Sequence, residues 1–233
     1  MLVGAAGSFL ALFMLAHTVG NLQIFLGPDA INRYAATLKM LPYGLLWVFR
    51  VMVVAAVAVH VGLAAHLHAG NRRARGRGYA QERFLAAGRA SRSMMLAGAG
   101  ILLFLIWHIL HFTTRSVVDF SMLAPYPLPG APEPVVDVHA MIIVGFAHPL
   151  AAGAYLAAAA LVGLHLSHGV ASLFQSFGWR SAAWKPRLER LAQGCGLFVF
   201  LGLAAIPLAV LAHVWLGAPI FDDARFVHLL PGR

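Results

Sequence analysis

Five long apolar stretches, roughly 2–26, 42–68, 94–114, 140–174 and 188–217, dominate this chain. A helix needs about 20 mainly apolar residues to cross the hydrocarbon of a bilayer. Within that hydrocarbon only helices and closed barrels satisfy their own backbone. The pattern predicts an all-α integral membrane bundle of five transmembrane helices, a single domain over 1–233. Composition points the same way, with 61% hydrophobic and 11% charged residues against about 25% charged in soluble domains. The single cysteine, Cys195, excludes an internal disulfide, a cysteine-ligated iron–sulfur cluster and a Cys₂His₂ zinc site. In its apolar run it reads as a small buried hydrophobe. The first stretch has no basic leader and no small-residue cleavage site, so it reads as a retained helix rather than a signal peptide. The fourth is long enough to tilt or protrude, and Pro149 and Pro207 are expected to kink the fourth and fifth.

The net charge of +9 does not point to nucleic acid, because it is not spread over one face. Eleven of the 17 basic residues lie in two segments. One holds Arg72, Arg73, Arg75, Arg77, Arg83, Arg89 and Arg92; the other holds Arg180, Lys185, Arg187 and Arg190. Six of the eight acids lie on the other side: Asp29, Asp119, Glu133, Asp137, Asp222 and Asp223. The positive-inside rule puts both basic segments in the cytoplasm, which makes the N-terminus cytoplasmic and the C-terminus external. The basic segments also suit anionic lipid. The third-to-fourth connection, with Pro125, Pro127, Pro129, Pro132 and Pro134, reads as an ordered or extended external segment.

His17, His60, His108 and His165 stand one on each of four successive apolar stretches. Ionisable groups at membrane depth are costly and mark function by default, and imidazole is a common axial ligand of haem iron. At 1.5 Å rise per residue, His17 and His108 lie roughly 21–22 Å from their inner ends, in the outer half. His60, on a helix running the other way, lies roughly 25 Å from its outer start, and His165 also falls in the inner half. Depth therefore pairs His17 with His108 and His60 with His165. Two haems stacked across the membrane fit this layout; a proton relay or a transporter's metal site are the alternatives. His148 is the rival to His108. His66, His68, His111 and His168 read as interfacial or propionate-side groups, and His139, His213 and His228 as solvated.

Several motifs then go together. They are Ala16-His17-Thr18-Val19-Gly20-Asn21-Leu22-Gln23-Ile24-Phe25-Leu26-Gly27-Pro28, followed by Asn32-Arg33-Tyr34-Ala35; Leu41-Pro42; Trp107-His108; and His165-Leu166-Ser167-His168-Gly169. With them the chain resembles, over nearly its whole length, the five-helix, two-haem cytochrome b subunit of succinate dehydrogenase and fumarate reductase. The resemblance implies a subunit in the cell membrane of a prokaryote that binds two haem b. It implies a flavoprotein subunit and an iron–sulfur subunit as partners, with the dicarboxylate chemistry in those partners. It also implies quinone, often menaquinone in this family, as the electron acceptor or donor. The haem ligands would be His17 and His108 for the outer haem, His60 and His165 for the inner.

Two features depart from the family. The chain opens Met1-Leu2-Val3 without the usual polar segment. Gly163 stands where some menaquinol-using members carry a glutamate, and Lys39 and Asp29 stand near the place of another. Arg50 is a candidate for an outer-haem propionate, and Arg92, Ser93 and Arg89 for the inner one. The outer rim offers Asn21, Gln23, Asp29, Asn32, Arg33, Tyr34 and Lys39 for a quinone; the inner rim offers His66, His68, Ser91 and Arg92. The outer rim is preferred, since the second haem would otherwise be idle. The competing readings are a di-haem cytochrome b of another respiratory enzyme, such as a formate dehydrogenase or hydrogenase, and a non-haem transporter or membrane anchor.

Overall fold

Five helices are long and apolar enough to cross a membrane: Leu2–Leu26, Pro42–Asn71, Met94–Thr113, Pro149–Ser176 and Lys185–Leu216. They belong to a computed structural model that describes residues 1–74, 89–179 and 181–232, with the side chains of 72, 74 and 89–93 outside the described set. In chain order the helices are α1 (Leu2–Leu22), α2 (Pro28–Lys39), α3 (Leu45–Ala74), α4 (Arg89–His108), α5 (Val138–Phe146), α6 (Pro149–Ser176) and α7 (Lys185–Leu216). No strand occurs among the described residues.

Outward-facing Leu12, Val51, Leu103 and Leu208 are exposed, as a chain solvated by lipid requires. The tightest packing is between α6 and α7, and further close contacts join α4 to α6, α1 to α3, α1 to α6 and α1 to α7. At the α6–α7 crossing a Cβ on Gly163 would lie 2.8 Å from Phe200 Cβ and 2.9 Å from the Gly196 carbonyl. Glycine is what lets these backbones touch.

The fourth apolar stretch is not one kinked helix. It is two helices, α5 and α6, separated at Ala147 and His148. Pro149 has no N–H to donate and confines its predecessor to extended backbone. His148 accordingly sits at φ −83°, ψ 121° and becomes the N-cap of α6, with its Nδ1 accepting from the Leu150 N–H at 3.3 Å. Pro207, by contrast, lies within a continuous α7.

A second difference is α2, in a segment expected only as a polar rim. Pro28 occupies its first turn with Asp29, and Lys39 its last, which suits the helix dipole at both ends. Its buried face is Ile31, Asn32 and Ala36. Together α2, the 114–137 segment and residues 217–232 build a folded cap over one end of the bundle. Buried Asp137 is its centre. It accepts from Asn32 Nδ2 at 3.1 Å, the Ala140 N–H at 3.0 Å and Arg225 Nη1 at 3.1 Å. Around it, Tyr126 donates to Asp29, Arg33 donates to the Pro129 carbonyl, and Tyr126 pairs with Val135 in an isolated bridge. The 114–137 segment is thus ordered, as expected from its prolines.

Candidate functional site

Two histidine pairs face each other inside the bundle. His17 on α1 meets His108 on α4 with ring centroids 6.0 Å apart and planes at 89°. His60 on α3 meets His165 on α6 at 6.2 Å and 74°. These are the partners that depth along the helices assigns. The first pair lies toward the capped end, the second toward the opposite, basic end. His60 packs against Gly7, where a Cβ would meet its Cε1 at 3.3 Å. Gly7 is ten residues before His17 on α1, so the pairs are separated by about 15 Å along the bundle.

Neither α1 and α4 nor α3 and α6 are close-packed neighbours; α3 leans on α1, and α4 on α6. The paired histidines therefore join helices that are not direct neighbours. In each couple the two imidazoles are the groups that would hold a metal ion between them. Among the described residues, Nδ1 of His60 and Nδ1 of His165 are buried without a hydrogen-bond partner, a costly state for an imidazole nitrogen.

The donor set narrows the chemistry. No group of three or more His, Cys, Asp or Glu that could hold a metal ion exists among the described residues. Two nitrogens are too few for a protein-built zinc or calcium site. They suffice where the ligand brings its own equatorial nitrogens, as a tetrapyrrole does. Facing imidazoles on separate helices, two to a pair, are a donor set that a haem could use.

His148, the rival to His108, is exposed and engaged in capping α6. His111 is fully buried rather than interfacial, and His139 and His213 are buried rather than solvated. The returning C-terminal segment accounts for the last two: Phe221 packs on both rings, and Asp223 lies 3.2 Å from His213 Nε2.

The polar rim divides. Asn32 is fully buried; its Nδ2 goes to Asp137, and its Oδ1 accepts from the N–H groups of Val138 at 2.7 Å and His139 at 3.2 Å. It caps α5 and is removed from any rim open to a ligand. Asn21 donates to the His17 carbonyl at 2.8 Å. Asp29 and Arg33 are tied to Tyr126 and Pro129. Lys39 remains exposed. Loss of water around its ammonium, then the charges of Arg115 and Arg50, hold it below the usual lysine range. Arg50 also lies over the Trp47 ring at 4.8 Å, so three cations, Lys39, Arg50 and Arg115, converge at the capped end. Arg115 was not legible as a member; its backbone sits at φ +58° just past α4. The side chains of Arg89, Arg92 and Ser93 lie outside the described residues.

Sequence reasoning also missed Tyr155 on α6, whose hydroxyl lies 3.1 Å from Nδ1 of both His108 and His111. Position along the helices could have found it, because Tyr155 is ten residues, about 15 Å, before His165, the same step that separates the two pairs.

Comparison with protein-family models, with curated proteins and with solved structures returned no match.

Proposed function

We propose that this chain is the membrane-anchor, two-haem cytochrome b subunit of a succinate:quinone oxidoreductase in a prokaryotic cell membrane. The observation that carries the reading is the pair of facing histidine couples, 6.0 and 6.2 Å between ring centroids, each joining helices that are not close-packed neighbours. The sequence resemblance supplies the enzyme: succinate or fumarate would be handled by a flavoprotein partner and electrons brought by an iron–sulfur partner. Two b-type haems held this way supply single-electron transfer across the bilayer.

The chain's own residues have distinct tasks in this scheme. His17 and His108 bind one haem, and His60 and His165 the other. Apolar α1, α3, α4 and α6 exclude water from both. The charge bias supports an orientation with the basic loops in the cytoplasm, where Arg187 and Arg190 at the start of α7 would meet the iron–sulfur partner and anionic lipid. Lys39, Arg50 and Arg115 at the other end provide positive charge for propionates and for the quinone rim with Asn21, Asp29 and Arg33. A carboxylate path at Gly163 is opposed by packing, because a side chain there would force α6 from α7.

The test is the haem content of the purified chain together with its co-purifying subunits. Close to two non-covalent haems per chain, and a flavoprotein that oxidises succinate, are expected. Haem without a flavoprotein partner would favour the cytochrome b of a formate dehydrogenase or hydrogenase; no haem would reject the proposal.

A further inference from the structure

Tyr155 stands at the centre of a ring of aromatic side chains beside the outer pair. Its ring meets Phe104 at 4.8 Å, Phe146 at 4.7 Å and Trp107 at 5.1 Å between centroids. The hydroxyl of a ring so enclosed has little freedom, and both nitrogens within its reach are Nδ1 atoms, of His108 and His111, each at 3.1 Å. His111 is itself clamped, stacked on Phe112 at 4.1 Å and Trp107 at 5.1 Å. The backbone from Ile109 to Thr113 is a π-helical turn, a distortion that recurs at functional sites.

A hydroxyl has one proton to donate and lone pairs to accept with. If it donated to His108, that imidazole's proton would be on Nε2, leaving no ring lone pair free to bind a metal. If His108 Nδ1–H donates to the Tyr155 oxygen, Nε2 is free to bind a metal, and the Tyr155 proton goes to His111 Nδ1. The proton of His111 is then on Nε2, and that atom is buried with no partner. We propose that Tyr155 is the positioning residue of the outer haem: it holds His108 in the tautomer and orientation that ligate iron, through the chain His108 → Tyr155 → His111. This inference rests on the two-haem reading. It deepens it by separating the two centres, because the buried Nδ1 atoms of His60 and His165 have no such acceptor.

A histidine whose second nitrogen donates a hydrogen bond is a more basic ligand, and a more basic ligand favours the oxidised metal. Tyr155 therefore lowers the potential of the outer haem. In the assembled complex, Tyr155→Phe should keep both haems and raise the potential of the component that is lost on replacing His17, and change its low-temperature paramagnetic spectrum. The other component should stay where it is. His111→Phe should give a smaller shift of the same sign, since it removes only the group that polarises the Tyr155 hydroxyl. Should either variant fail to assemble, the native sequence with its five tyrosines replaced biosynthetically by fluorotyrosine keeps the shape while weakening the hydroxyl as an acceptor. The outer potential should again rise. Two haems retained with an unchanged outer potential and spectrum, in Tyr155→Phe or in the fluorotyrosine protein, would overturn the assignment of Tyr155. A native complex without haem would instead reject the reading beneath it.

Discussion

The two histidine pairs have nearly the same spacing but are held by different physics. The capped-end pair is oriented by hydrogen bonds that join the Tyr155 hydroxyl to His108 and His111, with a cap organised on Asp137 around them. The basic-end pair is oriented by backbone proximity. Gly7 makes room for His60, Gly98 lies 3.7 Å (as a Cβ) from His165 Cε1, and Gly163 presses α6 onto α7 two residues before His165. Hydrogen bonds fix direction and tautomer; close packing fixes position and leaves the ring nitrogens to the ligand. Two haems held as proposed would thus meet different environments, a means of giving them different potentials.

The largest expected effect breaks one pair at a time. Replacing His60 or His165 by Ala should lower haem from about two to about one per chain and remove one spectral component. Replacing His17 or His108 should remove the other. His148→Ala should remove neither, at the expense only of an exposed cap worth about 1 kcal/mol. Loss of the same component from His17 and His60 variants would dissolve the pairing.

Next in size is the packing side of the comparison. Gly163→Leu forces a side chain against Phe200 and the Gly196 carbonyl, and overpacking of this kind costs about 1–3 kcal/mol or more. The basic-end component should weaken first, with the capped-end component intact, and the thermal unfolding midpoint in detergent should fall. Gly153→Leu is the control, since a Cβ there meets nothing within 4 Å. Equal losses in the two variants would show that the α6–α7 contact does not position His165.

How much of this was legible in the sequence follows the same division. Apolar length revealed the five spans, and helix rise with alternating direction revealed which histidines stand level, because both depend on one-dimensional distance along a helix. Pro149 was seen but misread as a kink. A proline at the first turn starts a helix as readily as it bends one, and only the backbone of His148 decides between them. The α2 helix was hidden because its twelve residues are too few and too polar to resemble a span. Asn32 read as a rim group because nothing local indicates that Asp137, 105 residues away, is its partner. Tyr155, Arg115 and the burial of His139 and His213 depend on such long-range meetings, which periodicity does not carry.

A smaller effect separates the two ends by their place in the membrane. On the proposed reading, in which the basic end is cytoplasmic, electrons that enter there and leave at the capped end would move outward from a negative interior. The membrane potential then assists, by about 2.3 kcal/mol per 100 mV for a full crossing. Collapsing the potential with an uncoupler in intact cells should slow succinate-dependent quinone reduction. A rate indifferent to the uncoupler, in a complex shown to be intact, would place quinone at the basic end.

The smallest effect concerns the cap alone. Tyr126 donates to Asp29, and that hydrogen bond, then burial and the Asp29 charge, push its hydroxyl up from 10.0 to about 12. The hydroxyl binds its proton more tightly in the folded cap than in an unfolded chain. Its contribution to stability is therefore whole below about pH 10 and is lost as pH rises toward 12. Tyr126 lies near solvent, so the contribution is modest. Between pH 10 and 12 the phenolate absorbance of Tyr126 should grow in as the contact to Asp29 breaks, with the basic-end pair unaffected. Asp29→Asn should bring that ionisation back toward the ordinary tyrosine value, read as the absorbance difference from a Tyr126→Phe variant. An ionisation near pH 10 in the native chain would mean that α2 and the 114–137 segment are not joined there, and that the cap depends on Asp137 and Arg33 alone.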